Sequence, residues 1–296
     1  MIGTICALTA ALTWAGSSTI LKPLTARIDT ISLNTLRLCV ASILLLAVIL
    51  LSGRSTEFIN TPLMPLVYLI ISGVIALAIG DTVYIKSLQY LDVSRAFPIS
   101  QCAYPVFTLF LSVSLLGESF TLGTGLGAFF VLLGIYLIVF TRKVPRIQST
   151  SGGISVRGVV LALVAGAVWA SATVTLRLGV MGIDPLVAAA IRIPAATIVL
   201  LSFSLSRRKR GTFQLRKYGS RSLVLAATSG FLGYCVGVIL FIIAIQSIGA
   251  GKTVLLLAVS PLFLLPFSIF VLQEKLTRPA LIGIFICVGG ICLVAL

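Results

Sequence analysis

A chain of 296 residues that is 59% hydrophobic and 10% charged, with a mean hydropathy of +1.18, is excluded from the soluble globular class. The formal net charge of +15 calls for an anionic partner, but the cations crowd beside apolar runs, which points to anionic lipid and away from nucleic acid. Histidine is absent, which removes the commonest general base and transition-metal ligand, so neither a metal nor a cofactor is expected. Cys6, Cys39, Cys102, Cys235, Cys287 and Cys292 all fall in apolar stretches without metal-type spacing and read as small buried hydrophobes.

Apolar runs of roughly 18 to 25 residues predict ten membrane spans. In chain order they cover 2–21, 33–51, 63–85, 96–116 and 122–140, then 158–176, 186–205, 223–245, 253–272 and 280–296. The first begins at Ile2 with no basic leader and no small-residue cleavage site, and is read as a working span. Trp14 lies at its middle, too deep for interfacial anchoring, and is assigned to packing or to a cavity wall.

Span 2 carries Arg37 about one turn in. A charge inside a bilayer is costly and marks a functional candidate, although a residue near a span end can also snorkel or pair with Asp29. Span 3 holds Asp81, the only carboxylate deep in a span, with Leu77, Tyr84 and Leu88 on the same helical face. Held away from water, Asp81 suits a proton-coupling role; the alternative is a static pair with Lys86, Arg37 or Arg95. Its counterpart in the second half is expected near Gly237.

Span 4 presents a polar face of Phe97, Gln101, Tyr104 and Thr108, extended by Ser94 and Ser112. Pro98 and Pro105 are expected to bend it and release backbone carbonyls. Arg95 stands just before it. Glu118 and Glu274 lie at span ends and read as caps or partners there, whereas Gly123, Gly127, Gly134, Gly283 and Gly290 allow close packing, between spans 5 and 10 or at a dimer interface.

In the second half Trp169 sits mid-span 6 and Arg192 in span 7. Span 9 opens on Gly249-Ala250-Gly251-Lys252-Thr253. This mimics a phosphate-binding loop, but Gln246 stands where the first glycine is required and no strand precedes it, so a nucleotide-hydrolysing site is rejected. Lys252 remains a candidate anion site at a helix start, or an ordinary loop cation. Span 9 has Pro261 and Pro266 but Leu257 opposite Gln101, so the cavity should be chemically asymmetric.

The chain is written twice. Trp14, Asp29 and Arg37 recur 155 residues later as Trp169, Asp184 and Arg192, and Pro105, Glu118, Thr121, Gly127 and Gly134 recur 156 later as Pro261, Glu274, Thr277, Gly283 and Gly290. Residues 1–141 form one repeat, 142–157 a basic linker and 158–296 the other. Five spans per copy force the second copy upside down. Inverted repeats of this kind occur in secondary transporters, whose site lies between the halves near mid-membrane.

Of the 22 Lys and Arg residues, 17 fall in loops after odd-numbered spans and three, Arg54, Arg177 and Lys252, on the other side. The asymmetry places the odd loops in the cytoplasm of a plasma or inner membrane and both termini outside. The run Arg207-Arg208-Lys209-Arg210, with Arg216, Lys217 and Arg221, would meet anionic lipid there.

Several motifs together resemble the drug/metabolite transporter superfamily, in its ten-span form built from two EamA-type repeats. They are Ser87-Leu88-Gln89-Tyr90-Leu91-Asp92-Val93-Ser94-Arg95-Ala96 entering span 4, Pro105 followed by Gly117-Glu118, Pro261 followed by Gln273-Glu274, and the glycine pairs of the closing spans. The resemblance covers nearly the whole chain. It implies an all-α membrane protein of ten helices, two inverted five-helix repeats around a central cavity, that moves a small organic solute by alternating access. Lys252 with its glycines also loosely resembles a motif of the nucleotide-sugar branch.

The expected function is therefore secondary transport, in the export direction, of a small polar metabolite such as an amino acid or organic anion, by a monomer or homodimer. Arg37, Arg192, Asp81, Tyr84, Gln101, Tyr104, Trp14, Trp169, Arg95 and Lys252 are the expected solute-pathway residues. Spans 1 and 6 contain no carboxylate, unlike the cation-exporting small multidrug relatives, which disfavours a cationic-drug exporter while Asp81 keeps it open. A non-transporting membrane component is a further alternative. A lipid-directed enzyme is not expected, because paired acids and a nucleophile-base set are both lacking.

Overall fold

The computed structural model describes residues 1–116, 122–140, 155–206, 218–273 and 278–295. Among them every regular element is helical. Glu118, Thr121, Glu274, Thr277, most of the basic linker and the Arg207–Lys217 cluster lie outside the described residues.

Helix is found at each of the ten predicted span positions. The elements are α1 (Ile2–Leu24), α2 (Thr30–Leu51), the short α3 (Ser55–Ile59), α4 (Leu63–Ser87), α5 (Val93–Leu116), α6 (Leu122–Phe140), α7 (Val156–Val180), α8 (Pro185–Ser206), α9 (Ser220–Ile248), α10 (Ala250–Leu257), α11 (Ser260–Val271) and α12 (Arg278–Ala295). Six of them, α1, α2, α4, α7, α8 and α9, are long and apolar enough to cross a membrane. A chain of such helices satisfies its own backbone hydrogen bonds within each segment, which hydrocarbon demands. Many apolar side chains accordingly face outward, among them Ile43, Leu50, Phe129, Ile198 and Phe270.

Local chemistry sets the helix ends. Asp29 caps α2, its carboxylate accepting from the Ser32 backbone N–H at 3.0 Å. Asp184 does the same for α8 through the Leu186 and Val187 amides. The span-9 position departs from a single helix: α10 ends at Leu257, two residues intervene, and Pro261 opens the first turn of α11. By contrast α5 runs unbroken through Pro98 and Pro105.

The two repeats interlock through mirrored contacts. Gly73 lies where an added Cβ would come within 2.5 Å of the Arg192 carbonyl oxygen, and Gly230, 157 residues on, stands 2.7 Å from the Arg37 carbonyl oxygen in the same sense. α4 and α9 each widen into a π-helical stretch, Val74–Gly80 and Phe231–Gly237, at equivalent positions. Gly80 then abuts the Trp169 ring and Gly237 the Trp14 ring. The offset is therefore 157 here, not 155, which makes Val238, next to the expected Gly237, the counterpart of Asp81. Ser42 and Thr197, equivalent to one another, meet hydroxyl to hydroxyl at 2.6 Å where α2 crosses α8. A contact between a residue and its own counterpart lies on the two-fold axis relating the repeats. α6 likewise packs along its own counterpart α12, with Gly134 set against Cys287 and the Gly283 backbone. None of the six cysteines forms a disulfide; Cys39 is half-buried and Cys292 exposed, so the expectation of burial holds for the other four.

Candidate functional site

A cavity opens between the repeats where α1, α2, α4 and α5 face α7, α8 and α9. The space between its walls, counting the part open to solvent, is about 770 Å³. Its wall is mostly apolar, with Trp14, Tyr84, Phe97, Tyr104, Trp169 and Phe241 supplying aromatic surface and Arg37, Asp81 and Arg192 supplying charge.

Each helix delivers its side chains for a local reason. The π-helical stretch of α4 sets Ala76, Leu77, Asp81 and Tyr84 on the wall, and that of α9 does so for Gly233 and Tyr234. Wide turns of this type are frequent at functional sites, because they rotate the following residues off the regular helical face. The Asp81 carboxylate accepts from Trp169 Nε1 at 2.8 Å and forms no ion pair with a described residue. Lys86 instead donates to Gln89 Oε1 at 2.6 Å, and Arg95 enters no ion pair with Asp81, so the expected static pair is not the one formed. Trp14 Nε1, in the mirrored position, donates to the Gly233 carbonyl at 3.1 Å. Tyr104 shares a 2.5 Å hydrogen bond with Thr173 and meets Trp169 edge-on, ring centroids 6.4 Å apart. Tyr84 lies 5.5 Å from the same indole.

Arg37 and Arg192 are 4% and 3% exposed, so neither snorkels. Neither pairs with its own aspartate: Asp29 caps α2, and Asp184 holds Arg54 from the other repeat at 2.7 Å. Each guanidinium reaches across to the opposite half. Arg37 donates from Nε to Ser229 at 3.1 Å, from Nη1 to the Tyr234 hydroxyl at 3.0 Å and from Nη2 to Ser17 at 3.2 Å. Arg192 donates from Nε to Ser72 at 3.1 Å.

Trp14, Arg37, Asp81, Tyr84, Gln101, Tyr104, Trp169 and Arg192 all lie on the cavity wall. Arg95 does not; it is buried near the start of α5, and Lys252 stands in the first turn of α10 with its side chain outside the described set. Of the predicted polar face of α5, Thr108 turns back to the Tyr104 carbonyl at 2.9 Å and Ser94 is buried off the wall, while the side chain of Ser112 lies outside the described set. Leu88 belongs to the packed core. The wall also includes residues that the sequence did not single out: Ser17, Ser18, Thr173, Tyr234 and Phe241. Tyr234 had a signal, a lone phenol between two glycines in an apolar run.

The model of the EamA-like transporter family matches residues 1–140 and again 156–296. The chain belongs to the EamA-like transporter family. It is a membrane transporter, built of two copies of the family unit. It is 27% identical, over all 296 residues and 99% of the relative's length, to an uncharacterized transporter of Archaeoglobus fulgidus. A crystal structure of another protein superimposes with a TM-score of 0.71 over 98% of this chain and 95% of that one, at 16% identity, and so shares the fold.

Proposed function

We propose that this transporter is a secondary carrier that exports a small anionic or zwitterionic metabolite, an amino acid or an organic acid, by alternating access. The observation that carries the reading is the cavity between the repeats, where two buried arginines and one aspartate stand among seven aromatic residues. Intramembrane charges turned toward an interior space, away from lipid, mark a solute pathway. The cationic excess among them favours a negative or zwitterionic cargo. Asp81 beside the Tyr84 and Trp169 rings favours a second reading, a cation exporter, since aromatic faces attract cations.

The odd-numbered loops are taken as cytoplasmic and both termini as external, in a plasma or inner membrane, with the basic segments on anionic lipid and the transporter a monomer or a homodimer. Solute counterflow in proteoliposomes across amino acids, organic acids and quaternary cations tests the cargo. Uptake of an acid or zwitterion is expected; counterflow with cations alone overturns it. Export is tested by comparing net flux in vesicles of the two orientations. Asp81→Asn keeps an acceptor for Trp169, so it should fold and exchange solute yet lose accumulation driven by a pH gradient. Unchanged accumulation would remove Asp81 from proton coupling.

A further inference from the structure

The two arginines occupy mirrored positions but do not have mirrored surroundings. Everything that clothes Arg37 has a counterpart beside Arg192, read through the same offsets that relate Trp14 to Trp169 and Gly80 to Gly237. The anchor is kept: Ser229 under Arg37 corresponds to Ser72 under Arg192, each accepting from Nε at 3.1 Å. The other partners are not. Ser17, which accepts from Nη2, becomes Ala172, and Asn34, whose Oδ1 lies 3.5 Å from Nη1, becomes Ala189. Tyr234, which accepts from Nη1 and lies under the guanidinium at 4.4 Å, becomes Leu77.

The outcome is a buried cation with an open valence. Among the described residues Nη1 of Arg192 has no hydrogen-bond partner, although the residue lines the cavity and is 3% exposed. A guanidinium carries five N–H donors, and a buried charge left without acceptors is strongly destabilising. Gln101 Oε1, on the same wall, also has no partner. Neither group is explained by the packing of the protein alone.

We propose that Arg192 is the residue that binds the solute, receiving a carboxylate on its unpartnered Nη1, whereas Arg37 is a structural member of the wall. The cargo class is narrowed by charge. With Asp81 ionised, Arg37, Arg192 and Asp81 leave the cavity with one excess positive charge. A carboxylate supplies one negative charge and two planar acceptors suited to a guanidinium; a doubly charged phosphate would overshoot. Gln101 Oε1 then asks for a donor elsewhere on the solute, and the aromatic wall for an apolar body. The carboxylate could belong to a simple acid or to an amino acid.

The inference rests on the transport reading, but its test is binding to the purified full-length protein in detergent, so the two can fail separately. Thermal unfolding is followed for wild type, Arg192→Met, Arg37→Met and, in case Arg37→Met does not fold, Tyr234→Phe. Without solute, Arg192→Met should unfold at the wild-type temperature or above it, because an unpaired buried charge is removed. Arg37→Met and Tyr234→Phe should both unfold earlier. The probes are the twenty standard amino acids and a set of aliphatic and aryl monocarboxylates, each beside its primary amide. One or more acids should raise the wild-type midpoint while the matching amides do not, and Arg192→Met should abolish the rise. A rise with simple acids identifies a free carboxylate cargo, and one confined to amino acids a zwitterion. Loss of stability in Arg192→Met as large as in Arg37→Met overturns the proposal. So does a rise that survives Arg192→Met, one given equally by amides, or the lack of a rise with every acid.

Discussion

The first repeat and the second are built on one plan but furnished differently. Their joints match: a tryptophan against a glycine at the end of a π-helical stretch, and an arginine backbone against a serine-glycine pair, each occurring once per half. Their cavity chemistry does not match. Asp81 faces Val238 across the mirror, and α5 contributes Phe97, Gln101 and Tyr104, whereas α10 and α11 contribute no wall residue among those described. The difference teaches that duplication preserved what lets the two halves fit and let much of the remaining cavity wall diverge.

The joints should be the least tolerant positions, and tolerance should be equal in the two halves. Gly73→Ala and Gly230→Ala place a methyl against a backbone carbonyl that cannot rotate away, and each should cost about 1–3 kcal/mol in reversible unfolding. Clearly unequal losses would break the mirror.

The tryptophans should sharpen the contrast. Trp169→Phe removes a hydrogen bond to a partly buried carboxylate, a loss of about 1.5–3 kcal/mol, whereas Trp14→Phe removes one to a carbonyl, about 0.5–1.5 kcal/mol. Trp169→Phe should in addition shift the pH profile of transport, since Asp81 loses its donor; Trp14→Phe should leave the profile in place. Equal effects on both readouts would reject Asp81 as the functional difference.

The smallest effect belongs to the ion pair that ties the halves at the surface. Arg54 and Asp184 are 42% and 24% exposed, and Arg54→Ala should cost about 0.2–1 kcal/mol, less at high salt. A loss as large as that of the glycine variants would mean that this contact, and not the buried joints, couples the repeats.

Much of this was legible in residue order because it is local. Apolar length announced the helices, and the recurrence of Trp14, Asp29 and Arg37 announced the duplication. The depth of Asp81 and the helical spacing of Phe97, Gln101 and Tyr104 marked wall residues, since both are properties of one helix. What stayed hidden is what depends on the other repeat. Nothing near Arg37 in sequence reveals that Tyr234 and Ser229 clothe it, about 190 to 200 positions away. The π-helical stretches of α4 and α9 carry no proline, and the drift in offset from 155 to 157 accumulates between Arg37 and Ser72. Arg95 misled for the opposite reason: a cation at a helix start looks the same whether or not it faces a cavity.

The hydroxyl contact between Ser42 and Thr197 has a mechanical meaning. If the halves rock against one another during transport, this contact, which joins a point to its own image, sits where that rotation produces the least displacement, as the pin of a pair of scissors stays still while the blades swing. A Ser42→Cys/Thr197→Cys disulfide should therefore leave turnover intact, whereas a covalent link of equal length placed away from that pin should arrest the cycle.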